Sequence, residues 1–273
     1  MAAVDLAGLL RCLELAEETP GSWTAPSLPM DYHRIFGGQL LAQAVVLATA
    51  TAEERPVRSL ACLFPREGSL AEPFSFQVES THTGRTFATR RISAQQDGRT
   101  FFLAQASLHV PEEGPQHQEP APDVGDPADA RPEQMPMIPW ETRVVGAVDL
   151  RDRAVGPAEY AFWTRVEGIE STAGAATHQA LLAYATDLTV IGTALRPLEG
   201  VSQADAHEIL QTAVTGHSIW FHRPFRIDDW CLVSQRAPVV AGARAFGHGH
   251  AFDRDGLLVA SFTQESMIRT VRN

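Results

Sequence analysis

Two stretches of the chain are apolar on nearly every position, and several others alternate apolar with polar. The unbroken runs are Ile35 to Ala52 (IFGGQLLAQAVVLATATA) and His178 to Leu195 (HQALLAYATDLTVIGTAL), both rich in good helix formers. Each predicts a helix without a wet face, the kind that a fold wraps with protein. Gly37 and Gly38 open the first run tightly, Gln39 and Gln43 lie four apart on one of its faces, and Pro56 closes it. In the second run a single carboxylate, Asp187, sits among apolar neighbours. On a continuous helix it shares a face with Ala183, Tyr184, Val190 and Ile191. Two readings of Asp187 follow. One is a buried acid that needs polar partners, since an unpaired buried charge costs several kcal/mol. The other, which the stretch alone favours, is an Asp near a helix end facing water.

The alternating stretches predict strands at 57–64, 74–81, 86–95 and 100–110, and again at 158–166, 217–225, 230–235, 243–252 and 257–268. Asp97-Gly98 and Asp255-Gly256 are hairpin turn signals. Pro224 suits an edge or a bulge. The first residues, MAAVDLAGLLRCLELAEE, predict a short amphipathic helix, and Pro20, Gly21, Pro26 and Pro29 an irregular approach to the first apolar run. Residues 111–139 are rich in Pro and acids with almost no large apolar side chains, which predicts an exposed linker. The expected organisation is an N-terminal helix over 1–18, one unit over 19–112, a linker over 113–145 and a second unit over 146–273.

The two units resemble each other. Arg85-Thr86-Phe87, a strand, Asp97-Gly98 and a strand holding Gln105 match Arg244-Ala245-Phe246, a strand, Asp255-Gly256 and a strand holding Gln264. A long apolar helix precedes the strands in each half, so an internal duplication is the simplest account.

At 273 residues the chain has ample material for a core, and its net charge of -11 disfavours nucleic acid or an anionic membrane surface as partners. No run is long enough to cross a bilayer as a helix. The N-terminus has acids where a signal peptide needs bases. The three cysteines are scattered without metal-ligand spacing and fit a reduced, cytoplasmic setting. The ten histidines form no complete ligand set, so neither a metal nor another cofactor is expected. No Gly-x-Ser-x-Gly elbow and no cysteine in a nucleophile context point to covalent catalysis. A carboxylate among apolar residues, by contrast, suits activation of a water, because desolvation lifts its pKa toward neutrality. Gln264 shares a strand face with Phe262, and from the residues alone a buried amide and a solvent-facing one are equally good readings. Gly37, Gly38 and Gln39 at a helix start are candidate anion-binding groups, against the plainer reading of close packing. Arg85, Arg90, Arg91 and Arg244 are candidate phosphate partners, against simple pairing with the acidic surface.

Several stretches resemble the acyl-CoA thioesterase II family: IFGGQLLAQA (35–44), GRTFATRRISAQQDGRTFFLAQASLHVPEEG (84–114), HQALLAYATDL (178–188), HSIWFHRPFRIDDW (217–230) and DGLLVASFTQESMIR (255–269). The resemblance implies an α+β double hotdog, two tandem copies of a long helix wrapped by an antiparallel sheet. It implies hydrolysis of a fatty acyl-CoA to free acid and CoA, with acyl-CoA as partner and further self-association into a homo-oligomer. The family site joins an Asp, a Gln and a Thr or Ser just before a His-[ST]-x-Trp-Phe-His strand. The first two resemble Asp187 and Gln264. At the third position this chain has Val214, and the Asp that usually precedes the His is Gly216. Thr215 is the neighbouring hydroxyl, one residue out of strand register unless a bulge restores it. The first half departs too, with Ser59-Leu60-Ala61-Cys62-Leu63-Phe64 where the family often has Ser-Leu-His-x-Tyr-Phe. The expected site is therefore Asp187, Gln264 and Thr215 for catalysis, with Gly37, Gly38, Gln39, His217 and Arg85 for substrate. The departures raise a second expectation, a catalytically weak or inactive acyl-CoA binding module. An enoyl-CoA hydratase ranks last, because no His stands beside Asp187 in the sequence.

Overall fold

The computed structural model describes residues 4–30, 33–53, 55–135, 137–170, 172–206 and 208–271. In chain order, helix α1 (Leu6–Cys12) leads into a hairpin of β1 (Ala16–Thr19) and β2 (Ser22–Ala25). Helix α2 (Gly37–Ala50) follows, then β3 (Val57–Leu63), β4 (Phe74–Thr83), β5 (Phe87–Gln96) and β6 (Arg99–His109). Two short strands, β7 (Arg131–Pro132) and β8 (Glu141–Val144), precede β9 (Glu159–Arg165). Helices α3 (Ala175–Thr186) and α4 (Val190–Leu195) come next, and β10 (Leu210–Phe221), β11 (Cys231–Ala241), β12 (Arg244–Asp253) and β13 (Leu258–Thr270) complete the chain.

All the strands join one 13-stranded sheet in the order β1-β2-β4-β5-β6-β3-β10-β13-β12-β11-β9-β8-β7, with every named pairing antiparallel. The order mirrors about the β3–β10 seam, so the two halves form one continuous surface, as the duplication predicts. Helices α2 and α3 lie against each other inside it. Their faces are buried nearly all round, from Gly38 to Thr49 and from His178 to Thr186, and Tyr184, Phe76, Phe102, Phe162 and Phe262 fill the space between helix and sheet.

Four expectations change. The N-terminal helix spans only Leu6–Cys12, capped by Asp5, whose carboxylate accepts the Gly8 N–H at 2.6 Å. Residues 1–3 of the expected helix lie outside the described residues. The irregular approach instead contains the β1–β2 hairpin, because Gly21 adopts φ +80 and lets the chain reverse onto β4. The linker is irregular and mostly exposed only to about residue 126. Beyond it the chain adds β7 and β8 to the sheet edge and buries Met135 and Ile138. Bonds to the second half hold it there: the Tyr184 hydroxyl donates to Met137 O at 2.6 Å, and the segment's own Trp140 Nε1 donates to Thr164 Oγ1 at 2.7 Å. Lastly, the second apolar run is broken, with Asp187 as C-cap of α3 and Thr189 as N-cap of α4. A short polar side chain between two β-branched Thr residues suits a cap better than a helix interior.

Candidate active site

Asp187 ends α3 facing the start of α2, so an acid from the second half meets the helix N-terminus of the first. The Gly38 N–H favours the charged carboxylate, in the field of a helix end that favours negative charge. The approach requires the two glycines. A Cβ on Gly37 would lie 2.7 Å from Asp187 Oδ2, and one on Gly38 would lie 2.5 Å from the Phe36 ring and 2.6 Å from Tyr184 O. Asp187 is buried, and its pKa is pushed up to about 7 by desolvation, partly opposed by the Gly38 N–H. Its Oδ1 has no hydrogen-bond partner among the described residues.

His217 Nδ1 on β10 stands 3.9 Å from that oxygen. Burial pushes the His217 pKa down to about 4, against the Gln264 hydrogen bond, which raises it. Between about pH 4 and 7 neither group is charged, so their approach is not an ion pair. His217 lies directly opposite Gln264 of β13, with Nδ1 3.2 Å from Gln264 Oε1, and its Nε2 is 3.2 Å from Thr186 Oγ1. The ring stacks on Phe262, centroids 5.9 Å apart. Gln264 Nε2 in turn donates to Ser266 Oγ at 3.1 Å. A buried polar line thus runs from Thr186 through His217 and Gln264 to Ser266, all of them on the helix-facing side of the sheet. Asp187 touches the middle of this line and also walls a cavity.

The cavity has a volume of about 920 Å3 and is lined from both halves, including Phe36, Gly37, Met137, Asp187, Val214 and Thr215. Arg66 and Arg151 stand on its wall. The supposed linker contributes a side of it through Glu133, Gln134, Met135 and Met137.

Of the expected residues, the structure groups Asp187, Gln264, His217, Gly37 and Gly38, but only Asp187 and Gly37 line the cavity; His217, expected to meet substrate, and Gln264 are buried and off its wall. Thr215 is different. The β10–β13 register does shift between Val214 and Gly216, so Thr215 is a bulged residue. It lines the cavity, but its hydroxyl donates toward Glu265, 3.2 Å from the carbonyl oxygen and 3.0 Å from Oε2. Gln39 is not on the cavity wall. Its oxygen accepts Leu28 N–H at 3.0 Å and its nitrogen donates to Pro26 O at 3.2 Å, so a buried amide satisfies the chain approaching α2. Arg85 lies exposed between β4 and β5 and is not part of the cavity wall. Thr186 and Ser266 were missed. Each lies beside one of the predicted pair, Thr186 one residue before Asp187 and Ser266 two after Gln264, and the period-2 face of a strand was the available signal for Ser266.

Two family models match the chain, an acyl-CoA thioesterase N-terminal domain over residues 24–109 and an acyl-CoA thioesterase C-terminal domain over residues 111–268. The chain is 32% identical to acyl-coenzyme A thioesterase 8 of Homo sapiens, covering 86% of this chain and 81% of that protein. It is 31% identical to acyl-CoA thioesterase 2 of Haemophilus influenzae, covering 97% and 98% of the two. Among solved structures, the acyl-CoA thioesterase II TesB2 from Mycobacterium marinum superposes with a TM-score of 0.80 at 31% identity, over 96% of this chain and 98% of that one. A hot dog fold protein from Alicyclobacillus acidocaldarius, 20% identical with a TM-score of 0.78 over 97% and 98%, shares the fold.

Proposed function

The chain belongs to the acyl-CoA thioesterase family and hydrolyses acyl-CoA thioesters, and on that premise we propose that Asp187 activates the attacking water with Gln264 and His217 behind it. The observation that carries this reading is a buried carboxylate with a pKa raised to about 7 in the wall of an apolar-lined cavity. A general base works best when its pKa lies near the operating pH. The ionised carboxylate takes a proton from water as the water oxygen bonds to the thioester carbonyl carbon. The tetrahedral oxyanion then collapses, the C–S bond breaks, and the proton held by Asp187 passes to the departing CoA sulfur. The products are a free acid and CoA. Gln264 spends one N–H on Ser266 and one lone pair on His217, which leaves a second of each for the water. Cys62, opposite His217 across the β3–β10 seam, is not a nucleophile, since burial and the nearby Asp187 push its thiol well up.

The carboxylate and the helix N-terminus that holds it come from different halves, so one complete site forms per chain. Exposed apolar side chains on the outer sheet face, Leu63, Trp220 and Phe246, support a homo-oligomer, which light scattering on the purified protein tests. Three buried free thiols support a cytoplasmic setting, which cell fractionation tests. Among the described residues no helix is long and apolar enough to cross a membrane.

The test of the site is thiol release from short- to long-chain acyl-CoAs by the purified protein and by Asp187→Asn. Turnover that survives the substitution refutes the role of Asp187. Binding of a non-hydrolysable acyl-CoA without turnover of any substrate would select the inactive binding module.

A further inference from the structure

Ser266 shares the helix-facing side of β13 with Gln264 and lies directly opposite Val214 of β10. Val214 brings only methyl groups to the cavity wall, so Ser266 supplies the one side-chain hydroxyl of that rung. It is 1% exposed, and its only hydrogen bond among the described residues is the one it accepts from Gln264 Nε2 at 3.1 Å.

An amide has two ends of nearly the same shape and opposite hydrogen-bonding sense. The end that meets an imidazole decides which ring nitrogen carries the proton. Here the amide nitrogen faces Ser266 and the oxygen faces His217 Nδ1. A neutral ring in that contact carries its proton on Nδ1; its Nε2 lies 3.2 Å from the Thr186 hydroxyl, whose one proton goes to Ala183 O at 2.9 Å, so Gln264 and not Thr186 is the partner that fixes the tautomer. The Nδ1–H then lies on the side of Asp187 Oδ1, 3.9 Å off. In the other tautomer a lone pair would face the ionised carboxylate and oppose its ionisation.

We propose that Ser266 is a positioning residue for thioester hydrolysis. Its hydroxyl anchors the Gln264 amide with the oxygen on His217, and so holds His217 as the Nδ1–H tautomer beside Asp187. This rests on the reading of Asp187 and Gln264 as the catalytic pair. Without the hydroxyl the buried amide N–H has no acceptor, the amide turns, and His217 loses the partner that fixes its proton.

The test compares Ser266→Thr with Ser266→Val, which add nearly the same volume and differ in the hydroxyl alone. Ser266→Ala covers the case in which both are too large for the site. Wild type and Ser266→Thr are expected to share kcat, within about threefold, and the same acidic limb of kcat/KM. Ser266→Val and Ser266→Ala are expected to lose about tenfold or more in kcat with little change in KM, on the scale of a group that orients rather than reacts. Their acidic limb is expected to move to higher pH. Nitrogen NMR of labelled histidine is expected to show His217 as a single Nδ1–H tautomer in wild type and as a mixture in the Val and Ala variants. Equal kcat and equal pH profiles for Thr and Val, or for Ala and wild type, overturn the proposal. If Asp187→Asn is inactive in the same assay while Thr and Val agree, only the role of Ser266 falls. If Asp187→Asn is active, the reading beneath it falls.

Discussion

Replacing Asp187 with Asn removes one ionisation from the interior and keeps the side chain's shape. Burial raises the carboxyl's pKa from its ordinary 3.8 to about 7 in the folded protein. A raised carboxyl pKa means that ionisation costs the folded state stability. The cost is absent below the unfolded-state value, grows as pH rises past it, and is complete above the folded-state value. At about 1.4 kcal/mol for each tenfold, the whole span is on the order of 4 kcal/mol, of which about 3 kcal/mol falls between pH 5 and 8. Other titrating groups are common to both proteins and cancel in the difference. Urea unfolding followed by tryptophan fluorescence, with five Trp residues as reporters, gives the stabilities of wild type and Asp187→Asn at pH 5, 6, 7 and 8. The variant is expected to gain on wild type across this series and to end more stable, while its turnover drops by roughly 10²- to 10⁴-fold, the usual contribution of a general base. A variant more stable and less active at once is the signature of a group held in place for chemistry. A stability difference that stays flat from pH 5 to 8 refutes the raised pKa and, with it, the physical basis for Asp187 as base.

The same ionisation sets the pH dependence of catalysis. The kcat/KM of the wild type is expected to rise tenfold per pH unit below about 7 and to level off above it, and a plateau already reached at pH 5 would contradict this. Gly37→Ala would place a Cβ 2.7 Å from Asp187 Oδ2. Displacement of the carboxylate is expected to cost about tenfold to a hundredfold in kcat, checked by turnover alongside a melting curve that shows the protein folded. Thr215→Val is expected to leave kcat within about threefold of wild type, because the hydroxyl serves Glu265; a loss of a hundredfold would return Thr215 to the catalytic group.

Much of this was legible in the residues. The two helices announced themselves because a helix wrapped by a sheet has no polar face, whereas the second run alone favoured a water-facing Asp187, and its burial at the helix end shows only in the structure. What the run did not show was the break at Asp187, because the start of α2 that the carboxylate packs against belongs to the other half. Periodicity ranked Gln264 beside Phe262, but the duplicate it suggested, Gln105, is exposed. In the structure Ala104 faces Cys62 as Gln264 faces His217, one residue out of step with the matched sequence. Bulges produce such slips, and nothing in local composition announces them. The same limit applies to Thr215, where a bulge exists but turns the hydroxyl to Glu265. The acidic, proline-rich segment misled for a different reason. Its composition shows no periodic apolar face, yet it buries Met135 and Ile138 and is held by the Tyr184 hydroxyl on Met137 O and by its own Trp140 on Thr164.

The mirror order about the β3–β10 seam has a further consequence. Two separate, identical subunits paired in this way would carry two equivalent centres and could not alter one without altering the other. Covalent fusion lifts that constraint, and Ala104, facing Cys62 where the other half sets Gln264 against His217, has no amide to offer a second centre. Active-site titration with a tight transition-state mimic should therefore saturate at a single equivalent per polypeptide, however many polypeptides assemble.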